Sequence, residues 1–275
     1  MHRALKPSTF DTMQQSLLLS IFLLFGTLLT AQEGVNQLDA DGKKHGTWEQ
    51  FYENEQWRYR GQFEHGQPVG TFFYYYDSGE KSSEVTHIDA EHSEARFFHK
   101  NGTLMGEGKY LYQQKHGEWR FYDNHTTLSS IEPFEHGKLN GLKKVYHLNG
   151  KIAAEIPFED GRKHGPFKEY STNGNVLIEG TYQDNQFDGE YQQYYEDGSP
   201  YIKGYYKAAV KDSLWICYTD EGRIKYQQLY KTGELIKQKI EDGFEPEEVD
   251  VEIDPSAIID EEQLKEEFLN GGPPR

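Results

Sequence analysis

The sequence predicts an all-β chain, an elongated antiparallel sheet of about eight stacked β-hairpins, each of about 24 residues. Three observations predict it. A small residue recurs at Gly46, Gly70, Ser93, Gly117, Gly141, Gly165, Gly189 and Ser213, with successive spacings of 24, 23, 24, 24, 24, 24 and 24. Five residues past these anchors stand Phe51, Tyr75, Phe98, Tyr122, Tyr146, Tyr170, Tyr194 and Tyr218, a ring in every unit. Nine residues past the anchor six units carry glycine, preceded by Asn, Asp, Ser or Glu, the turn signal expected between two extended runs.

The elements follow in chain order. Arg3 and Lys6 precede an apolar run from Leu17 to Leu29. As a helix that run would rise only about 20 Å, too short for a bilayer core of about 30 Å, so residues 1–31 read as a secretory signal peptide cleaved after Ala31. The expected compartment is therefore outside the cytoplasm, periplasmic or extracellular, in a bacterium. Residues 32–240 form the repeat domain. Within each unit the Asn-Gly type of pair is expected to make a type I′ turn, because both residues tolerate positive φ. After the turn apolar residues or Gly alternate with polar ones, as in Ile152, Ala154, Ile156, Phe158 and in Val176, Ile178, Gly180, Tyr182, which implies one covered face.

Seventeen residues past the anchor a second aromatic row runs through Phe63, Tyr110, Phe134, Phe158, Tyr182, Tyr206 and Tyr230, with His87 in the remaining unit. The rows at positions 5 and 17 are the expected repeat core. Six units add a ring at position 2 (Trp48, Phe72, Trp119, Phe167, Tyr191, Trp215), which in a regular strand points away from position 5; a bulge or aromatic cover on both faces would reconcile them. Glycine at position 15 (Gly61, Gly108, Gly180, Gly204) marks where a neighbouring ring would lie on bare backbone. Connections between units are polar and Gly-rich: Asp41-Gly42, His65-Gly66, His136-Gly137, Asp160-Gly161. Residues 241–275 form an acidic tail in which Pro255-Ser256 starts a short capping helix or an unstructured segment.

The segments His164-Gly165-Pro166-Phe167-Lys168-Glu169-Tyr170 with Asn173-Gly174, and His116-Gly117-Glu118-Trp119-Arg120-Phe121-Tyr122, resemble MORN repeats, in the bacterial variant type that recurs at this same spacing. The resemblance covers about residues 39–240. It implies stacked hairpins in a twisted sheet, and a binding or scaffolding role without catalytic machinery. Some relatives are labelled antitoxins, which makes a toxin-neutralising partner protein one alternative, although an export signal argues against a cytosolic role.

Composition narrows the function further. With 46 acidic against 29 basic residues the net charge is −17, which excludes nucleic acid as a partner and argues against anionic membrane. One cysteine builds neither a disulfide framework nor a thiolate metal site. Cys217 is expected as a buried small hydrophobe, with a reactive thiol as the alternative. His45, His92, His116 and His164 precede anchors, yet equivalent residues of adjacent hairpins lie roughly 10 Å apart, so a turn role is expected and no metal. Gly106 and Gly108 occupy ordinary repeat positions rather than a phosphate loop, and the sequons at Asn101 and Asn124 are read as non-functional. No cofactor is expected, and no enzyme. Adjacent rings at Tyr74, Tyr76, Tyr195, Tyr201 and Tyr205 make the candidate binding surface, since Tyr-rich surfaces suit protein contacts and sugar stacking. The expected role is a non-enzymatic exported scaffold binding another envelope or secreted protein through its extended face; a glycan-binding module is the alternative.

Overall fold

A computed structural model of the chain describes residues 34–244. The predicted leader, and all of the predicted tail beyond residue 244 with its helix, lie outside the described residues. Among the described residues twenty strands join into one antiparallel sheet that runs in chain order from Gln37–Leu38 at one edge to Glu234–Ile240 at the other, with Lys138–Leu139 and Gly141–Tyr146 both paired to Leu128–Glu135, and Arg162–Lys163 and Gly165–Tyr170 both paired to Ile152–Glu159. Among the described residues the two edges do not meet.

Position 2 decides the packing. Trp119, Trp215 and Tyr191 are 1% exposed or less, and Phe72 and Phe167 are 3% exposed, although the sheet has only one layer. Their cover comes from along the sheet. Position-2 rings meet the position-17 ring of their own unit edge-on, in Trp119–Phe134, Phe167–Tyr182 and Tyr191–Tyr206 among others, and in Phe63–Phe72, Tyr110–Trp119 and Tyr206–Trp215 that of the preceding unit likewise. The third contact is below: a Cβ placed on Gly61, Gly108 or Gly204 would lie 2.3, 2.3 or 2.1 Å from the ring of Phe72, Trp119 or Trp215 in the following unit. Ring and glycine are two halves of one contact. Where the glycine is missing the partner changes in two of three cases: Val85 precedes Ala95, and Glu132 precedes Lys143 with the two buried as an ion pair of 2.8 Å, whereas Phe167 remains a ring after Ile156 and shares a core cluster with it. Removing either charge would strand the other in the core.

Two kinds of turn alternate, and they are the reverse of the sequence expectation. Inside each unit the amide at position 9 bonds the carbonyl at position 6, as in Gly102→His99 and Gly150→His147, and only the position-9 residue has positive φ. This is a type I turn closed by a left-handed residue. The Asn before it is not left-handed; its side chain closes the turn and reaches out, with Asn54 Nδ2, Asn101 Nδ2 and Asn149 Nδ2 donating to carbonyls of the next unit at 2.7, 2.9 and 2.9 Å. The pairs with positive φ at both residues lie between units: His65-Gly66, Tyr112-Gln113, His136-Gly137, Asp160-Gly161, Asp184-Asn185, Ala208-Ala209 and Thr232-Gly233. Asp41-Gly42 is not such a connection. Gly42 donates to Asp39, so it closes the turn of a partial unit that precedes the first anchor.

The anchors are bulges. Gly46, Gly70, Gly117, Gly141, Gly165, Gly189 and Ser213 all have positive φ, and pairing between units slips there, for example between Arg60 and Gln62 opposite Phe73 and Val69. Ser93 has no positive φ, and its strand pairs with Lys81–His87 without a slip. The one short spacing in the series is therefore a unit without its bulge.

The ladder within each unit slips a second time between positions 4 and 5, as between Gln50 and Phe51 or Phe121 and Tyr122, and beyond that slip the hydroxyls of Tyr122, Tyr170 and Tyr194 meet Glu107, Glu155 and Glu179 on the side away from the position-2 rings. The position-5 row is not part of the core, contrary to expectation. Only Phe98 is buried; Tyr75, Tyr122, Tyr146, Tyr170, Tyr194 and Tyr218 are half-buried and Phe51 is 49% exposed. Tyr182 and Tyr206 of the position-17 row are buried, while Tyr110, Phe134, Phe158 and Tyr230 pack against the core clusters from their margin and Phe63 packs edge-on to Trp48 and Phe72.

Substitutions at four positions test these assignments by hydrogen exchange and thermal unfolding. Ser213→Gly relieves a left-handed non-glycine and should stabilise its unit by about 1 kcal/mol, whereas Ser93→Gly, in regular strand, should cost about 0.5–1 kcal/mol. Gly204→Val should destabilise by about 1–3 kcal/mol through overpacking against Trp215, and Trp215→Ala in the same chain should restore part of the loss by recreating the Val85 and Ala95 arrangement.

Candidate functional site

Alternation along the strands divides the sheet into an inner face, carrying positions 2, 4, 13, 15 and 17, and an outer face carrying positions 1, 3, 5, 14 and 16. The inner rings spend their surface on one another. What remains for a partner is chiefly the outer face.

There, charge is arranged in rungs. In four of the eight described units position 3 opposes position 14 with opposite sign: Glu49 with Arg60 at 3.2 Å, Arg96 with Glu107 at 3.7 Å, Lys168 with Glu179 at 3.4 Å, and Lys144 opposite Glu155 in the ladder. Positions 1 and 16 add Glu94 with Lys109 at 3.2 Å. Each pair is half-exposed and contributes little alone. The position-5 tyrosines tie the rungs together, because Tyr122 and Tyr170 donate to Glu107 and Glu155 of the preceding unit at 3.2 and 2.8 Å, and Tyr194 donates to Glu179 in the same way. These rings therefore fix neighbouring units to each other from the outer side.

Two features of the outer face stand apart. A groove of about 580 Å³ lies over the first two units, lined by Arg60, Gln62, Thr71, Phe73, Tyr75 and Lys81. Near the C-terminal edge Leu214 and Leu229 are opposite each other in the ladder and 47% and 41% exposed, with Tyr205 at 38% in the preceding unit.

The five tyrosines expected as a binding surface are not one surface. Tyr205 is exposed on the outer face. Tyr74 sits on the inner face beside Tyr59 and Phe72. Tyr76 and Tyr195 occupy the turn row at position 6 and donate to the carbonyls of Phe98 and Tyr218 in the next unit, both at 2.8 Å. Tyr52 and the rings of His99 and His147 make the same contact. Tyr201 packs its ring on Tyr195 at 5.0 Å. The signal for the turn row was its recurrence once per repeat, hidden because ring, His, Asp, Ser and Thr alternate there.

Other candidates resolve by position. His92 bonds Asp89, the His45 ring lies tilted against that of His65 at 5.5 Å, and His164 approaches Glu159. His116 is exposed. Among the described residues no three of His, Cys, Asp and Glu converge as a metal site. Cys217 is fully buried, its thiol 3.9 Å from the Tyr218 carbonyl oxygen. Gly108 lies beneath Trp119 and Gly106 against Phe121. The Asn101 amide is engaged with Asn124. Sequence reasoning missed the Glu132–Lys143 pair, to which Ser130 donates a further hydrogen bond of 3.1 Å.

Against known families, the profile of the MORN repeat variant matches residues 44–65, 139–160, 163–184 and 187–208. No curated protein matches the chain significantly in sequence. Among solved structures the chain is similar to the crystal structure of TarM at 11% identity and a TM-score of 0.21, over 51% of this chain and 21% of that one. It is similar to that of TcdB2-TccC3-TEV at 12% and 0.21, over 69% and 13%. A porin-like protein from Bacteroides uniformis follows at 9% and 0.19, over 70% and 95%. The chain thus spans well under two thirds of the first two. At these TM-scores none of the three bears on fold or activity.

The buried phenols make stability depend on alkaline pH. Burial pushes Tyr74, Tyr110 and Tyr206 up to about 12, and raises Tyr182 and Tyr191 further in the same direction. A raised acid favours the folded state while the phenol is neutral, so this stability is complete below the ordinary value of 10.0 and lost as pH climbs through the folded value. Titration followed by phenolate absorbance and by near-ultraviolet circular dichroism should show late ionisation coinciding with loss of ring packing between about pH 10 and 12.

Proposed function

Starting from a chain that is a MORN-repeat protein, we propose that it serves as a non-enzymatic exported scaffold that binds another envelope or secreted protein through its outer face. One observation carries this reading: the inner rings are buried by each other, whereas the outer face presents regular rungs of charge and tyrosine with exposed leucines at one end. Such a surface offers many weakly committed polar groups in fixed register around a small apolar anchor, the composition that suits protein recognition. The apolar run at Leu17–Leu29 supports placing that partner beyond the cytoplasmic membrane.

The groove over the first two units favours a second reading, a glycan site. Phe73 and Tyr75 offer ring faces, and Arg60, Gln62 and Thr71 offer hydrogen bonds at its wall, the pairing of stacking and polar contacts that sugars require.

Proximity labelling on intact cells compares the wild-type chain with Leu214→Glu/Leu229→Glu and with Phe73→Ala/Tyr75→Ala. Under the protein-binding reading the leucine variant loses a defined set of labelled envelope proteins, with binding weakened about tenfold or more, while thermal stability stays within about 0.5 kcal/mol. Under the glycan reading the aromatic variant instead loses retention on insoluble polysaccharide. Sedimentation with anionic vesicles at physiological salt should leave the protein in solution; strong binding there would count against both.

A further inference from the structure

The C-terminal edge of the sheet is built to receive one more strand. Glu234–Ile240 pairs with Ile224–Lys231 on one side and with no strand on the other among the described residues. It carries no ring at the repeat position opposite Gln228. Gln238 stands there and bonds Gln228 at 3.1 Å, so the column of stacked rings stops. Gln238 thus marks the inner face, with Leu235 opposite Tyr230 and Ile240 opposite Tyr226, and Lys237 and Lys239 fall on the outer face opposite Leu229 and Gln227. Leu235, Ile236 and Ile240 are 44%, 52% and 38% exposed. An edge of this length with open apolar residues invites uncontrolled pairing.

The chain beyond residue 244 contains Glu248-Val249-Asp250-Val251-Glu252-Ile253-Asp254 followed by Pro255. Strict alternation of apolar and acidic residues is the pattern of a half-covered strand. Its phase is that of the repeat. In the eighth unit Cys217 pairs with Tyr226 nine residues on, and Ile240 stands the same nine residues before Val249. That register sets Val249 against Ile240 and Val251 against Gln238 on the inner face. On the outer face it sets Asp250 against Lys239 and Glu252 against Lys237. These are the rungs at positions 3 with 14 and 1 with 16, and both have the opposite signs seen in Lys168 with Glu179 and Glu94 with Lys109.

We propose that residues 249–253 of this chain form the return strand of a ninth hairpin on the open edge Glu234–Ile240, closing the array with an acidic, proline-terminated strand. The cap limits the sheet at this end by presenting Glu248, Asp250, Glu252 and Asp254 to anything that would add beyond it. It does not rest on the binding role proposed above.

Hydrogen exchange in the full chain tests it, read at the amides of Glu234–Ile240 that do not donate to Ile224–Lys231. Those amides should be protected, independently of protein concentration, and Val249→Asp/Val251→Asp/Ile253→Asp should lower that protection by at least about tenfold while the first six units are unchanged. Asp250→Lys/Glu252→Lys should lower it as well, and adding Lys237→Glu/Lys239→Glu should restore it, a recovery that a merely unfolded tail would not give. Equal exchange in all four chains would overturn the proposal. So would protection that rises with concentration alongside a doubled mass in sedimentation, since a second copy would then hold the edge.

Discussion

One contact sets the architecture: a large ring at position 2 lying flat on the backbone of the unit before it. A single-layer sheet has no opposing layer to bury its side chains, so shielding has to come from neighbours in the plane. Trp119 becomes fully buried because Gly108 removes the atom that would hold it off the sheet while Tyr110 and Phe134 wall it in. Each indole N–H also finds a carbonyl on the previous unit, Lys109 for Trp119 and Tyr205 for Trp215, at 3.0 and 3.2 Å. The contact is therefore directional, from one unit back to the last. No hairpin can complete its own core, which makes stability a property of adjacent pairs.

The remaining features keep that contact in phase. A strand alternates every second residue, and it stays in step with the much longer repeat only if the bulges and turns recur without error. The left-handed anchor slips the ladder between units, and the two turn types then return the chain at alternate ends. The turn row adds a clasp, with Tyr52, Tyr76, His99, His147 and Tyr195 reaching the next unit's backbone. In the other units Asp123, Ser171 and Thr219 are too short to reach, and bond the amides of their own turns instead. The third unit shows the economy of the scheme: without a bulge its anchor follows the previous one by 23 residues instead of 24, and with Ala95 at position 2 it needs no glycine before it.

Because the inner face is consumed by stacking, variation is free to collect outside. Where both sides of a rung are charged the signs are opposite, and which side carries which is exchanged between units, as Glu49 with Arg60 and Lys168 with Glu179 show. The same freedom allows a polar groove at one end and exposed leucines at the other on a common frame.

How much of this was legible follows from what repeats. The hairpin array, its period, the covered row at position 17 and the glycines beneath neighbouring rings could all be read from spacing, because local periodicity directly encodes which side chains share a face. The core itself was placed one row off. Position 5 is aromatic in every unit and position 2 in six, so frequency favoured the wrong row, and burial turned on a cross-unit contact between Trp215 and Gly204 that no single unit contains. Asn-Gly likewise signalled a turn without revealing that Asn149 spends its side chain on Thr172, so the turn type was misassigned. The candidate tyrosines scattered for the same reason: adjacent rings such as Tyr74 and Tyr76 both found partners, one on the inner face and one in the clasp. Sequence alone thus determined the period and the hairpins, which depend on neighbours in the chain. Only tertiary structure decided which face is core, where the bulges fall and what is left exposed, since those depend on residues brought together from one unit to the next.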